Sequence, residues 1–266
     1  MRLSGGDVVS FQDLVRLMDT LRGEKGCPWD RKQTLDSLKP FLIEEAYEVI
    51  EAIERDEPEK LKEELGDLLF HILFLSKVCA DMGRFGIDDV IRFEYEKMTR
   101  RHPHVFGANR NEDAEKVLEE WYEIKRQERA TKGSRSLMDG IPPKLPALQK
   151  AQKVQRRASQ VGFDWEKPED VLEKISEEME ELRGAISRRR EKDVSEEVGD
   201  ILFSVVNVCR FLGVEAELAL RRTISKFVKR FRALEQRAAG KGKALGDLSL
   251  EEMDAEWEAI KESGGG

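Results

Sequence analysis

The chain has 266 residues, 39% hydrophobic and 38% charged, against a typical charged share of about 25%. That is apolar enough for packed cores, so global disorder is excluded, and the length suits one large domain or two small ones. Forty-six Lys and Arg against 54 Asp and Glu give a net charge of −8, which excludes a generally basic nucleic-acid-binding surface and makes divalent cations a natural partner. Met1 to Ser10 has no apolar core of a signal peptide, and Leu68 to Leu75, interrupted by His71, is far short of a membrane span. Cys27, Cys79 and Cys209 have neither paired nor zinc-type spacing, so the expectation is a cytoplasmic protein with no membrane and no nucleic-acid polymer as partner.

Taken in chain order, strong helix formers dominate, apolar residues recur at spacings of three and four, and alternating strand patterns are missing. The first clear element is a helix in which Leu42, Ile43, Ala46, Val49, Ile50 and Ile53 form one stripe, with Glu44, Glu45 and Glu48 beside it. The next helix starts near Leu61, carries Glu64 and Asp67, and then turns apolar almost all round, which predicts a bundle centre or a subunit interface. Residues 131–147 hold Pro142, Pro143 and Pro146 with Gly133, Ser134 and Gly140, and read as a linker.

Beyond the linker the pattern returns. Glu44-Glu45-Ala-Tyr-Glu48 reappears as Glu177-Glu178-Met-Glu-Glu181, and Glu63-Glu64-Leu-Gly-Asp67 as Glu196-Glu197-Val-Gly-Asp200. The offset is a constant 133 residues (44 to 177, 48 to 181, 64 to 197, 67 to 200) and also pairs Leu69 with Leu202 and Phe70 with Phe203. Glu120-Trp121-x-x-Ile124-Lys125 recurs as Glu256-Trp257-x-x-Ile260-Lys261. A tandem duplication follows: an all-α chain of two helical-bundle domains, 1–130 and 148–266, joined by the 131–147 linker.

Within each copy the carboxylates pair at i, i+3 on one helix face: Glu45 with Glu48, Glu64 with Asp67, Glu178 with Glu181, Glu197 with Asp200. Apposing the two helices converges four like charges beside a buried apolar segment, which demands compensation. Hard oxygen ligands suit Mg²⁺, with Mn²⁺ as a substitute. A ferritin-like di-iron site needs Glu-x-x-His on two helices, and here Ser204 stands in the second copy where the first has His71. Lone acidic runs in so charged a chain are ordinarily solvated surface; two motifs repeated twice at fixed spacing reverse those odds.

These motifs, E-E-x-x-E followed by E-x-x-D, resemble the MazG family of all-α nucleoside triphosphate pyrophosphohydrolases. Gly26-Cys-Pro-Trp-Asp30, Arg101-His-Pro-His-Val-Phe-Gly107 and Val161-Gly-Phe-Asp-Trp165 are similar to family signatures, and the match covers nearly the whole chain. The resemblance implies a homodimer that uses Mg²⁺ to hydrolyse nucleoside triphosphates, NTPs and dNTPs broadly, to monophosphate and pyrophosphate for nucleotide-pool housekeeping. It implies metal ligation by Glu178, Glu181, Glu197 and Asp200, and by Glu45, Glu48, Glu64 and Asp67 in the first copy. Glu177, Glu178 and Glu197 are the expected catalytic carboxylates, Glu177 as a further ligand or water-orienting base. Lys226 and Arg230 are expected on the phosphates and Trp257 on the base. On the residues alone, Lys226 and Arg230 equally suit a solvated basic face, and Trp257, between Met253 and Ile260, suits core packing. Asn207, a polar amide inside an apolar helix, needs a partner and is a candidate substrate contact. The resemblance also implies that the C-terminal copy carries the main activity; the first copy keeps its acidic set but lacks an Asn207-like position, so a structural, dimerising or regulatory role, or a weak activity, is expected of it. The rival reading is a non-catalytic helical module that binds a GTPase or a stress-response partner.

Overall fold

The structure is a computed structural model that describes residues 8–107, 113–131, 133 and 136–263. Met1–Asp7, Ser134 of the linker and the Gly264–Gly266 tail lie outside the described residues. Among the described residues every regular element is helical. In chain order the α-helices are α1 (Phe11–Arg22), α2 (Pro28–Lys32), α3 (Lys39–Glu54), α4 (Pro58–Asp81), α5 (Ile87–Arg101), α6 (Pro103–Phe106), α7 (Ala114–Thr131), α8 (Ala147–Ser159), α9 (Pro168–Arg188), α10 (Glu191–Phe211), α11 (Ala216–Gly240) and α12 (Leu250–Glu262), with a 3-10 turn at Leu245–Asp247 before the last. The chain divides into two compact units, residues 1–124 and 125–266.

Local sequence explains where the helices start. Ser10 and Asp13 form a reciprocal capping box at α1, and Ser249 and Glu252 form another at α12. Pro28, Pro58 and Pro168 occupy first helical positions, where a missing N–H costs nothing. The stops repeat between the copies. α3 and α9 both end on a non-glycine residue in the left-handed region, Asp56 and Arg189, each at φ 53°. The following N–H then reaches back in the same way, Glu57 to the Ala52 carbonyl and Arg190 to the Ala185 carbonyl. α4 and α10 close on left-handed Gly83 and Gly213, with Arg84 and Val214 donating to the carbonyls of Cys79 and Cys209.

These tight stops force α3 back along α4, and α9 back along α10, as the dominant packed pair of each unit. In the first unit α1 also packs on α4, around Met18, Leu38, Leu73, Phe74 and Val78, all nearly inaccessible. In the second unit α8 packs on α10 and α11, and α12 covers α11. The apolar end of α4 is buried on one side, at Leu73, Phe74, Val78 and Cys79, while Ile72 is 39% exposed. On α10, Leu202, Phe203 and Val205 are more exposed still. No helix among the described residues is long and apolar enough to cross a membrane.

Candidate metal and nucleotide site

In each unit the antiparallel helix pair brings the two acidic motifs face to face. Glu178 from α9 and Glu197 and Asp200 from α10 each offer a carboxylate oxygen within 4.8 Å of the others. In the first unit Glu45 and Glu48 from α3 meet Glu64 from α4 within the same limit. The remaining motif members lie close by: the Glu181 carboxyl shares a hydrogen bond with Glu197, and the Asp67 charge acts on Glu45.

The electrostatics match this crowding. Burial, then the charges of Glu181 and Glu178, hold the Glu197 carboxyl above the usual range. Burial and then Asp67 raise Glu45, and the Glu64 carboxylate raises Glu48. One face of each cluster is partly offset by a lysine. Lys60 pairs with Glu64, which is 1% exposed, and Lys174 pairs with Glu178 at 2.9 Å and Glu177 at 3.0 Å. Those bonds hold the Lys174 ammonium above the ordinary lysine range, Glu178 contributing first. Three or four mutually repelling oxygen donors, one of them on a nearly buried side chain, form a set that fits a hard divalent cation.

The two units differ beside the cluster. In the second, a cavity of about 690 Å³ opens next to the carboxylates, with Glu178, Asp200 and Lys174 in its wall. Asn207, Ser204, Gln155, Phe163 and Trp165 line the rest. In the first unit the offset of 133 residues sets Phe41, His71 and Phe74 where Lys174, Ser204 and Asn207 stand. There Phe41 stacks on His71 with ring centroids 5.8 Å apart, and Phe74 is 1% exposed. His71 Nε2 lies 3.4 Å from Glu45 Oε1, so the imidazole turns towards the acidic cluster.

Of the expected site residues, the structure brings Glu178, Glu181, Glu197 and Asp200 together, and places Asn207 on the same cavity. Glu177 faces outward towards Lys174, with its side chain 58% exposed. Lys226 is exposed and Arg230 half-buried on α11, and neither is part of the cavity wall. Trp257 lies against Phe227, ring centroids 5.2 Å apart, in the seam between α11 and α12. Lys174, Gln155 and Arg210 were missed by sequence reasoning. Lys174 had a readable signal, since it precedes Glu178 by four residues. Gln155 had none, because only tertiary packing turns an amide of α8 towards α10.

Comparison with known proteins agrees with this arrangement. The family model described as the MazG nucleotide pyrophosphohydrolase domain matches twice, at residues 33–106 and 166–234, each match containing one acidic helix pair. The chain is 47% identical over 253 residues to the nucleoside triphosphate pyrophosphohydrolase/pyrophosphatase MazG of Thermotoga maritima, covering 95% of this chain and 96% of the relative. It is 42% identical over 253 residues to the nucleoside triphosphate pyrophosphohydrolase of Escherichia coli, covering 93% and 95%. It is also 47% identical over 255 residues to the uncharacterized protein YabN of Bacillus subtilis, of which it spans 51%. With both acidic helix pairs matched and full-length relatives well above 30% identity, this chain belongs to the MazG nucleotide pyrophosphohydrolase family.

Proposed function

We propose that this protein hydrolyses nucleoside triphosphates between the α and β phosphates, releasing monophosphate and pyrophosphate, across NTPs and dNTPs, in nucleotide-pool housekeeping. The observation that carries the proposal is that Glu178 and Asp200 belong at once to the acidic cluster and to the wall of the 690 Å³ cavity. A metal-bound triphosphate tail and its nucleoside then have adjoining places.

Glu178, Glu181, Glu197 and Asp200 are the proposed ligands, and Mg²⁺, replaceable by Mn²⁺, is the proposed ion. When bound, such an ion neutralises phosphate charge and lowers the pKa of a coordinated water. The protein's own groups do the rest. Glu178 and Glu197 hold the cluster's geometry, and Glu177 is the proposed orienting base for water. Lys174, anchored by Glu178, supplies positive charge at the cavity wall. Lys226 and Arg230, one turn apart on α11, are proposed to grip the phosphate tail, with Trp257 as a further substrate contact.

The units are proposed as domains 1–130 and 148–266 with the 131–147 segment as linker. The second is proposed as the catalytic one, because a cavity lies beside its carboxylates, whereas Phe41, stacked on His71, and buried Phe74 hold the matching positions of the first. Glu45, Glu48, Glu64 and Asp67 remain proposed metal ligands serving structure or regulation. A homodimer is proposed; Leu202 and Ile186, more than half exposed, are apolar surface for it to cover.

The test is pyrophosphate release from a panel of NTPs and dNTPs with Mg²⁺, comparing wild type, Glu64→Gln and Glu197→Gln. Pyrophosphate with monophosphate, lost only in Glu197→Gln, is the expected result. Orthophosphate, or no release, would overturn the reaction; loss only in Glu64→Gln would reverse the assignment of the units.

A further inference from the structure

The segment before α8 reads as a linker in sequence, yet the structure builds it into the second unit. Successive turns close within it. The Ser136 N–H donates to the Asp139 carboxylate at 2.9 Å, the Met138 N–H to the Ser136 hydroxyl at 3.1 Å, and the Ile141 N–H to the Met138 carbonyl at 3.4 Å. Gly140 takes φ 74°, a left-handed conformation that glycine adopts without steric cost. Pro142, Pro143 and Pro146 then stiffen the run into α8.

An arginine of α8 fastens these turns. Arg157 is 8% exposed, and its Nη1 donates to the carbonyl oxygens of both Leu137 and Asp139. Burial, and then the charge of Arg129, hold this guanidinium below its ordinary range, while the Asp139 charge acts the other way. Without the segment the buried cation would keep its desolvation cost and lose both acceptors. The 137–139 backbone and α8 are therefore one packed piece. Between the two clamped carbonyls lies Met138, which joins Val154 and Ala158 of α8 in the wall of the 690 Å³ cavity.

In the first unit a similar clamp points elsewhere. Arg22, at the end of α1, also spends Nη1 on two carbonyls, those of Asp30 and Gln33, but both follow its helix. There the device holds the chain that comes next; in the second unit it holds the segment that comes before, against the site.

We infer that residues 136–141 are a strap that completes the substrate cavity of the second unit, with Met138 as its contact to the bound nucleotide. The inference rests on the triphosphate hydrolysis proposed above and assigns part of that site to the segment between the two acidic copies. Met138 is 39% exposed, so its flexible thioether has free surface for a ligand to cover. A ligand that covers it holds the strap closed, and by the same free energy a displaced strap weakens the ligand.

The test uses the full chain. Met138→Cys is alkylated with iodoacetamide in Mg²⁺, with and without α,β-imido-ATP at a concentration that inhibits pyrophosphate release from ATP by about nine-tenths, and the rate is read by mass on the peptide containing position 138. The analogue is expected to slow alkylation about tenfold, matching the share of cavities left empty. Lys144→Cys, exposed on the same segment but outside the cavity wall, should react at one rate throughout. Met138→Ala should raise KM for ATP about fivefold, with the effect carried mainly by KM, because an apolar contact to bound substrate is lost. Adding Arg157→Met to Met138→Cys should abolish the protection; if that variant does not fold, the single variants still decide. Equal alkylation at position 138 with and without the analogue, or an unchanged KM in Met138→Ala, would overturn the strap. Failure of the wild type to release pyrophosphate from ATP would instead overturn the reaction beneath it.

Discussion

The helix that carries Gln155 is held by a second buried amide, and its removal has a calculable cost. Gln152 is 2% exposed; its Nε2 donates to the Val214 carbonyl at 2.7 Å and its Oε1 accepts from the Ala216 N–H at 3.0 Å. Ala216 opens α11, and the preceding residue Glu215 makes no side-chain cap, so Gln152 satisfies a first-turn donor that the helix itself cannot. Gln152→Met preserves side-chain length and removes both bonds. The Ala216 N–H, in a residue 6% exposed, is then unsatisfied, at about 1–3 kcal/mol. Val214 is 36% exposed, so its carbonyl finds water, and the loss there is nearer about 1 kcal/mol. The expected destabilisation of the second unit is about 2–4 kcal/mol. Arg156→Ala is the control: its ion pair with Glu215, at 3.1 Å, joins the same helix to the same segment, but both side chains are over 40% exposed, so it should cost under about 1 kcal/mol. Urea unfolding in a Trp29→Phe/Trp121→Phe background reads the second unit through Trp165 and Trp257. The midpoint should fall with the slope unchanged. A loss below about 0.5 kcal/mol, or one equal to that of Arg156→Ala, would refute the reasoning.

The raised carboxylates predict a pH-dependent liability in the metal-free protein. Below the unfolded value, near 4.5, Glu197 is protonated in both states and costs nothing; as pH rises through its higher folded value, the folded state must carry the charge and loses stability. Glu197→Gln in EDTA should therefore melt higher than wild type at pH 8 and alike at pH 4; an equal difference at both would contradict it. Saturating Mg²⁺ or Mn²⁺ should raise the melting temperature of wild type, and Glu178→Gln should blunt the increase by removing a nearly buried ligand. In the first unit, Phe74→Ala should cost about 3–5 kcal/mol in urea unfolding, because the ring is fully packed; a cost under about 1 kcal/mol would show that the aromatic fill is loose. Gly26→Ala should cost about 1–3 kcal/mol by the same measurement, since an added Cβ would meet the Leu21 carbonyl oxygen at 2.2 Å, and neutrality would mean that this turn yields freely.

Much of this protein was legible one residue at a time. Helix formers at spacings of three and four, and the duplicated E-E-x-x-E and E-x-x-D motifs at a fixed 133-residue offset, settled an all-α tandem design, because periodicity and repetition are local properties of a chain. The i, i+3 spacing placed each pair of carboxylates on one face, and the short stops at Asp56 and Arg189 explain why those faces meet. Other features were not local. Glu177 lies beside Glu178 in sequence and within the same motif, yet helix rotation of about 100° per residue turns it towards solvent and Lys174. Lys226, Arg230 and Trp257 read as site residues by resemblance, but the cavity wall within the second unit is made by others. Gln155 carries no signal at all in the sequence. An amide on a charged helix becomes a buried, oriented acceptor only when α8 docks on α10 and offers it the Phe203 carbonyl. The sequence by itself thus determined the elements, the repeat and the acidic sets, while the tertiary structure alone revealed the cavity beside the second set. Filling or leaving that space depends on how side chains from separate helices share one volume, and no one-dimensional pattern records that.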